Sequence, residues 1–143
     1  MTTTVLRISA LCLLVFLGLT GLWGGYELIT DPTGESLKLP FELIEATPFK
    51  DYLIPGIALF CGIGILSLLI TWLVVKRRKY YPSYILLQGV ILILWLTSEL
   101  ALNVDFFFPQ THITYYVMGF LLVLIGWKLK KNLADEQHCR HRN

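Results

Sequence analysis

Only one acidic or basic side chain, Glu99, falls within the body of a long apolar run, about a turn from the end of the segment Ile91-Leu92-Ile93-Leu94-Trp95-Leu96-Thr97-Ser98-Glu99-Leu100-Ala101-Leu102. Placing such a group among lipid costs a few kcal/mol or more, so a carboxyl kept there is a functional suspect. At about 100° of helix rotation per residue, Gln88, Trp95, Glu99 and Asn103 share a narrow stripe that should turn into a bundle. The candidate ligand-binding residues are therefore Glu99, Asn103 and Trp95, joined by Tyr115 from the following run. Tyr26, His112 and Tyr115 are the nearest plausible partners of the carboxyl. The chemistry on offer is anchoring: a carboxyl, an indole N–H, an amide and a phenol can hold the polar end of an otherwise apolar molecule. The competing reading is a hydrogen-bonded seam between helices, with Glu99 reaching a wet boundary, and its position near the end of the run favours that seam. Ser67 and Thr71, one turn apart in the preceding run, extend the seam if Thr71 meets Gln88.

Other reactive residue types lack companions at useful spacing. Cys12 and Cys61 fall in apolar runs and Cys139 in the C-terminal tail, so no pair is set for an outer-face disulfide or a thiol redox motif. His138-Cys139-Arg140-His141 has metal-ligand residue types but too few fixed ligands for a closed site, and no metal or cofactor is expected. No nucleophile elbow, zinc-protease motif or phosphate loop occurs, which points away from an enzyme.

These residues must be positioned by helices in a bilayer. The 143-residue chain is 55% hydrophobic and 15% charged, with a mean hydropathy of +0.64; soluble domains carry about 25% charged residues. Its apolar residues come in four runs of the length that crosses a hydrocarbon layer of about 30 Å. The expected fold is an all-α membrane protein, one domain over 1–143. It is a four-transmembrane-helix bundle with helices at about 5–26, 51–75, 82–102 and 111–127, a short extracytoplasmic segment between the first two, and a cytoplasmic tail over 128–143. Arg7 followed by Ile8 to Leu19 has the form of a signal peptide. No A-x-A site follows and the apolar character continues through Trp23, so a retained helix is expected. Gly18, Gly21 and Gly25 lie on one face of that helix, and Gly56, Ala58, Gly62 and Gly64 keep the second slender, so their outer halves should touch.

The first two runs are joined by an acidic segment that ends in a hinge. Asp31-Pro32-Thr33-Gly34 reads as a tight turn. Pro40 opens a helix-like stretch, Phe41 to Ala46, that suits a short amphipathic piece lying on the membrane surface or capping the bundle. In Thr47-Pro48-Phe49-Lys50-Asp51-Tyr52-Leu53-Ile54-Pro55-Gly56, Thr47 is the expected cap, Pro48 sits in the first turn, and Pro55 should kink or restart the helix near Ile54. Thr111 is the expected cap of the fourth helix. The turn and hinge together resemble a family of small uncharacterised bacterial four-helix integral membrane proteins. The resemblance covers about a quarter of the chain; it implies bacterial membrane residence and that fold, and it assigns no functional residue.

Charge sets the expected orientation. Of 12 Lys and Arg, only Lys38 and Lys50 fall in the first loop. The rest cluster at Arg7, Lys76-Arg77-Arg78-Lys79, Lys128 to Lys131 and the tail. The positive-inside bias places both termini in the cytoplasm of a bacterial cell membrane. Four basic residues between two helices are too small a footprint for nucleic acid. The partners expected are the lipid bilayer and either a membrane-protein partner or a lipophilic small molecule; the oligomeric state stays open. The leading expectation is a non-catalytic protein that packs against a partner through its small-residue faces. The alternative is a binder or carrier of a small lipophilic molecule between the outer helix halves. A four-helix cation or drug transporter is the weakest, since the first run lacks the membrane-embedded acid such a protein uses.

Overall fold

A computed structural model describes residues 2–45 and 47–141, with the backbone alone at Phe106 and from 136 onward. Four long helices, Thr3–Thr30, Leu53–Val75, Tyr81–Leu102 and Pro109–His141, carry the fold, and all four are long and apolar enough to cross a membrane. Among the described residues there is no strand.

The first and second helices form one hairpin, held by backbones that only glycine permits to come so close. A Cβ at Gly21 would lie 2.8 Å from the Gly64 nitrogen, and one at Gly25 would lie 2.6 Å from the Phe60 nitrogen. The expected small-residue contact is therefore present. Gly62 is the exception, meeting nothing within 4 Å. The third and fourth helices form a second hairpin by the same device: a Cβ at Gly89 would meet the Gly119 carbonyl at 2.7 Å, and one at Gly126 the Leu86 nitrogen at 2.6 Å. Thr97 and Tyr116 exchange a hydrogen bond across this pair at 3.1 Å.

The two hairpins face each other, and their large buried side chains gather toward the end that holds Arg7, the Lys76–Lys79 turn and Lys128. Leu6, Leu14, Leu17, Ile70, Ile85, Leu122 and Leu129 are all at most 1% exposed. This basic end is packed solid. At the opposite end, where the two longer connections lie, a separate small cluster forms from Leu28, Ile44 and Tyr52.

Several boundaries differ from the sequence expectation, each for a local reason. The first helix runs on to Thr30 rather than ending near 26, because Leu28 still packs inward and Pro32 is the first residue that forces Asp31 out of helical geometry. The second begins at Leu53, not 51, with Asp51 Oδ1 accepting from the Leu53 N–H at 3.0 Å. Thr47 does not cap it: its hydroxyl donates to Ile44 O at 2.7 Å and closes the one-turn helix Glu42–Glu45. Ala46, the expected end of that surface helix, lies outside the described residues. Pro55 then falls in the first turn, where its missing N–H removes no helical bond, so it does not break the helix. The irregularity sits one turn later, as a π turn over Leu59–Ile65. The third helix starts at Tyr81, one residue before the expected 82. The fourth starts at Pro109, so Thr111 is not its cap, and it continues to His141 instead of ending at 127. Lys, Leu, Ala and Glu are all strong helix formers, and leaving an apolar run does not end a helix made of them.

The connection between the first two helices is organised by Asp31 and Tyr52. Asp31 Oδ1 accepts from Thr33 Oγ1 at 2.6 Å and Oδ2 from the Ser36 N–H at 2.8 Å. The Thr33 hydroxyl above all, then the Ser36 N–H, hold the carboxyl below the ordinary range. Gly34 takes φ +81°, as the expected turn requires. The Tyr52 N–H donates to Pro32 O and its hydroxyl to Pro40 O at 2.9 Å. Burial, with Glu42 adding repulsion, pushes its phenol pKa up. The segment is thus folded back over the ends of the helices.

Candidate functional site

At the loop end the hairpins do not close on each other, and two cavities of about 290 and 250 Å³ lie between them. The larger is roofed by the folded segment through Leu37, Leu39, Ile44, Phe49 and Tyr52, and walled by Leu28, Ile54, Pro55, Ala58 and Leu59. Across from these stand Trp95, Ser98, Glu99 and Leu102 of the third helix and Thr111 and His112 of the fourth. The smaller cavity opens between the first, third and fourth helices, past Thr20, Gly21, Gly24 and Tyr115. Trp95, Glu99 and Thr111 border both.

The predicted stripe does turn inward. Gln88 is fully buried, Trp95 and Glu99 are partly buried, and the Glu99 side chain is 31% exposed. His112, one of the partners expected for the carboxyl, is the one it meets: His112 Nε2 lies 3.6 Å from Glu99 Oε2. That is too long for a direct hydrogen bond. The imidazole is 3% exposed, and its Nε2 is buried without a hydrogen-bond partner.

The other ring nitrogen explains how the histidine is aimed. Phe108 N–H, a donor at the start of the fourth helix with no intrahelical acceptor, points to His112 Nδ1 at 3.3 Å, while the His112 backbone N–H bonds back to Phe108 O at 2.9 Å. Nδ1 lies as close, 3.3 Å, to Phe108 O, so the Phe108 backbone holds this nitrogen in either tautomer and leaves Nε2 on the side of the carboxyl. The Phe107 ring packs against the imidazole at 5.5 Å and fixes its plane. Proline at 109 and the histidine three residues on are therefore one local unit that sets the imidazole beside Glu99 in the cavity wall.

The remaining candidates divide. Tyr115 lines the smaller cavity only. Asn103 borders neither; its amide donates to Leu43 O at 3.2 Å and its carbonyl accepts from the Asp105 N–H at 2.9 Å, so it clasps the third helix to the folded segment. Gln88 does not meet Thr71. Its Nε2 donates to Gly62 O at 3.3 Å, and Thr71 bonds back to Ser67 O in its own helix. The π turn presents that carbonyl, which no reading of side-chain spacing would show.

Among the described residues no three His, Cys, Asp or Glu gather as metal ligands. The side chains of His138, Cys139 and His141 lie outside the described residues. What the cavity offers is a mostly apolar chamber with a carboxyl and an imidazole side by side and the hydroxyl residues Thr47, Ser98 and Thr111 on its walls. Compared with protein-family models, curated proteins and solved structures, the chain matches none.

Proposed function

We propose that this is a multi-pass protein of a bacterial cytoplasmic membrane, with both termini cytoplasmic, and that it holds a small lipophilic molecule, without catalysis, in the larger cavity at its outer end. Insertion is supported by what the helices turn outward: Phe16, Leu19, Leu69, Leu94, Phe120 and Leu124 are each more than half exposed, an apolar girdle that water would not tolerate. Trp23 and Tyr26 at one level, and Trp72, Tyr80 and Trp127 at the other, are also more than half exposed, as interfacial aromatics are. Orientation rests on the basic end. In a chain cleared of its native cysteines, a cysteine placed at Thr33 should react with an impermeant reagent from outside and one at Arg78 should not; the opposite labelling would overturn the topology.

The observation that carries the binding reading is the buried, unpartnered His112 Nε2 beside Glu99 in a chamber whose other walls are nearly all apolar. The partner-packing alternative loses much of its support, because the glycines that suggested it, Gly62 excepted, are used inside the hairpins. The transporter reading gains none: the longer first helix takes in Glu27, but that residue borders neither cavity. Organic extraction of the detergent-purified chain should release a lipophilic molecule at close to one per protein. Ala58→Phe, which fills the chamber, should lower that occupancy with folding retained. Equal recovery of bulk membrane lipid alone from both proteins would refute the reading.

A further inference from the structure

We infer that the larger chamber is filled sideways: its occupant is a molecule already dissolved in the lipid leaflet at the loop end, and it enters through a slot between the second and third helices. The inference rests on the binding reading above and assigns the source of the molecule and its way in.

The exposure of the wall residues shows where the chamber opens. Six residues of the folded segment face it, Leu37, Leu39, Ile44, Thr47, Phe49 and Tyr52, and every one is buried or half-buried. Among the described residues the roof is therefore covered. The wall residues that are exposed are Ile54, Ala58, Ser98, Leu102, Phe108 and Thr111. Ile54 and Ala58 lie one turn apart on the second helix, and Ser98 and Leu102 one turn apart on the third, so each pair forms one upright edge. Together they frame a slot about one turn, roughly 5–6 Å, tall. In the wall of the smaller cavity only Trp23 and Thr111 are exposed, one from each of two helices, and they frame no such slot.

The level of the slot decides what stands in front of it. A hydrocarbon layer of about 30 Å takes up about 20 helical residues. Counted from the basic end, these run from Val75 to Gly56 on the second helix, from Tyr81 to Leu100 on the third and from Trp127 to Phe108 on the fourth. Gly56 is midway between Ile54 and Ala58, and Leu100 is midway between Ser98 and Leu102. Both edges thus straddle the boundary where acyl chains meet head groups, and Phe108 lies at the same level. None of the six exposed residues is charged, and Ile54, Leu102 and Phe108 are 58%, 40% and 40% exposed there. A molecule resting in the leaflet meets an uncharged opening with Glu99 and His112 behind it, whereas one arriving from water meets the covered roof.

Trp95 borders both cavities and reports what reaches them. The full-length chain, cleared of its native cysteines and with Trp23, Trp72 and Trp127 replaced by phenylalanine, is reconstituted in phosphatidylcholine vesicles and mixed rapidly with vesicles that carry bromooctane. Trp95 fluorescence should fall, with an extent that saturates as the mole fraction of bromooctane rises. In the same background, Ser98→Cys is then blocked with a bulky aromatic methanethiosulfonate, which a reductant removes again. The adduct should slow the onset of quenching by about tenfold or more, which an added barrier of about 1.4 kcal/mol already gives. Reductant should restore the fast onset in the same sample, showing that the fold is intact. The same adduct on Glu45→Cys, an exposed position on the roof, should leave the onset fast. An onset that the Ser98 adduct does not slow, or that the Glu45 adduct slows as much, would overturn the slot and leave the cavity as a binding site. Quenching of the unblocked protein that fails to saturate would overturn the binding reading with it.

Discussion

The closest test of the fold is a pair of single methyl groups added to the second-helix contact. At Gly25 a new Cβ would lie 2.6 Å from both Cβ and N of Phe60 and 2.7 Å from its Cα. Ordinary contact begins near 3.4 Å, so the two backbones must part by about 0.8 Å (3.4 − 2.6), and no rotamer change relieves a clash with backbone. Overpacking of this kind costs about 1–3 kcal/mol. Alanine also gains about 1 kcal/mol over glycine in helix propensity, which leaves Gly25→Ala destabilised by a net of about 0–2 kcal/mol. At Gly62 nothing lies within 4 Å, so Gly62→Ala keeps the propensity gain of about 1 kcal/mol and adds no clash. The difference between the two variants cancels propensity and isolates the contact, at about 1–3 kcal/mol. Reversible unfolding in mixed detergent micelles should rank Gly62→Ala above the unaltered chain and Gly25→Ala below Gly62→Ala by that margin. Gly21→Leu, whose branch would press on the Gly64 backbone from 2.8 Å, should fall lowest. A Gly25→Ala protein as stable as Gly62→Ala would show that the first two helices do not meet through these residues.

Three further outcomes concern the loop end. Asp31 has its pKa lowered by the Thr33 and Ser36 hydrogen bonds, so its contribution to the turn is present above its unfolded value of about 4 and is lost as pH falls through the lower folded value; amide exchange at residues 33–36 should stay slow at neutral pH and quicken only in strong acid, and Asp31→Ala should quicken it at every pH. Gly34→Ala combines a φ of +81° with a Cβ 2.9 Å from the Tyr52 ring, so protease susceptibility of the segment should rise with little change in helix content by circular dichroism. Tyr52→Phe removes the hydroxyl bond to Pro40 O and should destabilise the segment by about 1 kcal/mol, read by the same exchange measurement.

The helices were legible in the sequence because four apolar runs are long enough to cross a bilayer, and the Gly18, Gly21 and Gly25 face because spacing alone fixes it. The ends were less so. Pro55 reads as a kink only if the helix has already begun, and where it begins is settled by Asp51 rather than Thr47. The matching glycines of the second hairpin, Gly89, Gly119 and Gly126, are spread over two runs and gave no clustered signal, although Gly119 and Gly126 sit seven residues apart on one face. For the site, helical rotation was enough to turn Glu99 and Trp95 inward. It could not separate them from Asn103, which lies on the same stripe but past the last helical turn, where the backbone φ of −155° swings its amide to Leu43 and Asp105. The setting of His112 depends on the Phe108 backbone at the start of the next helix, and no pattern of side chains contains that information.

Why the cavity lies at one end follows from side-chain size. Glycine draws the helices together where it occurs, in the first hairpin over Gly18 to Gly25 and in the second at Gly89, Gly119 and Gly126, and the space between the hairpins must be filled by the side chains they turn toward each other. At the basic end these are Leu14, Leu17, Ile70, Ile85, Leu122 and Leu129, and the space is full. At the loop end the small residues Thr20, Gly24, Ala58, Ser98 and Thr111 stand among larger ones such as Leu59 and Trp95, and the space stays open. The folded segment, fastened by Asp31, Tyr52 and the Asn103 clasp, roofs the chamber without filling it. Small residues facing inward at one level, a roof built by specific hydrogen bonds and a histidine aimed by its own helix start are separate local features, and they converge on one space beside Glu99. An occupant that restored the missing contacts and satisfied His112 Nε2 would recover the packing the sequence leaves out.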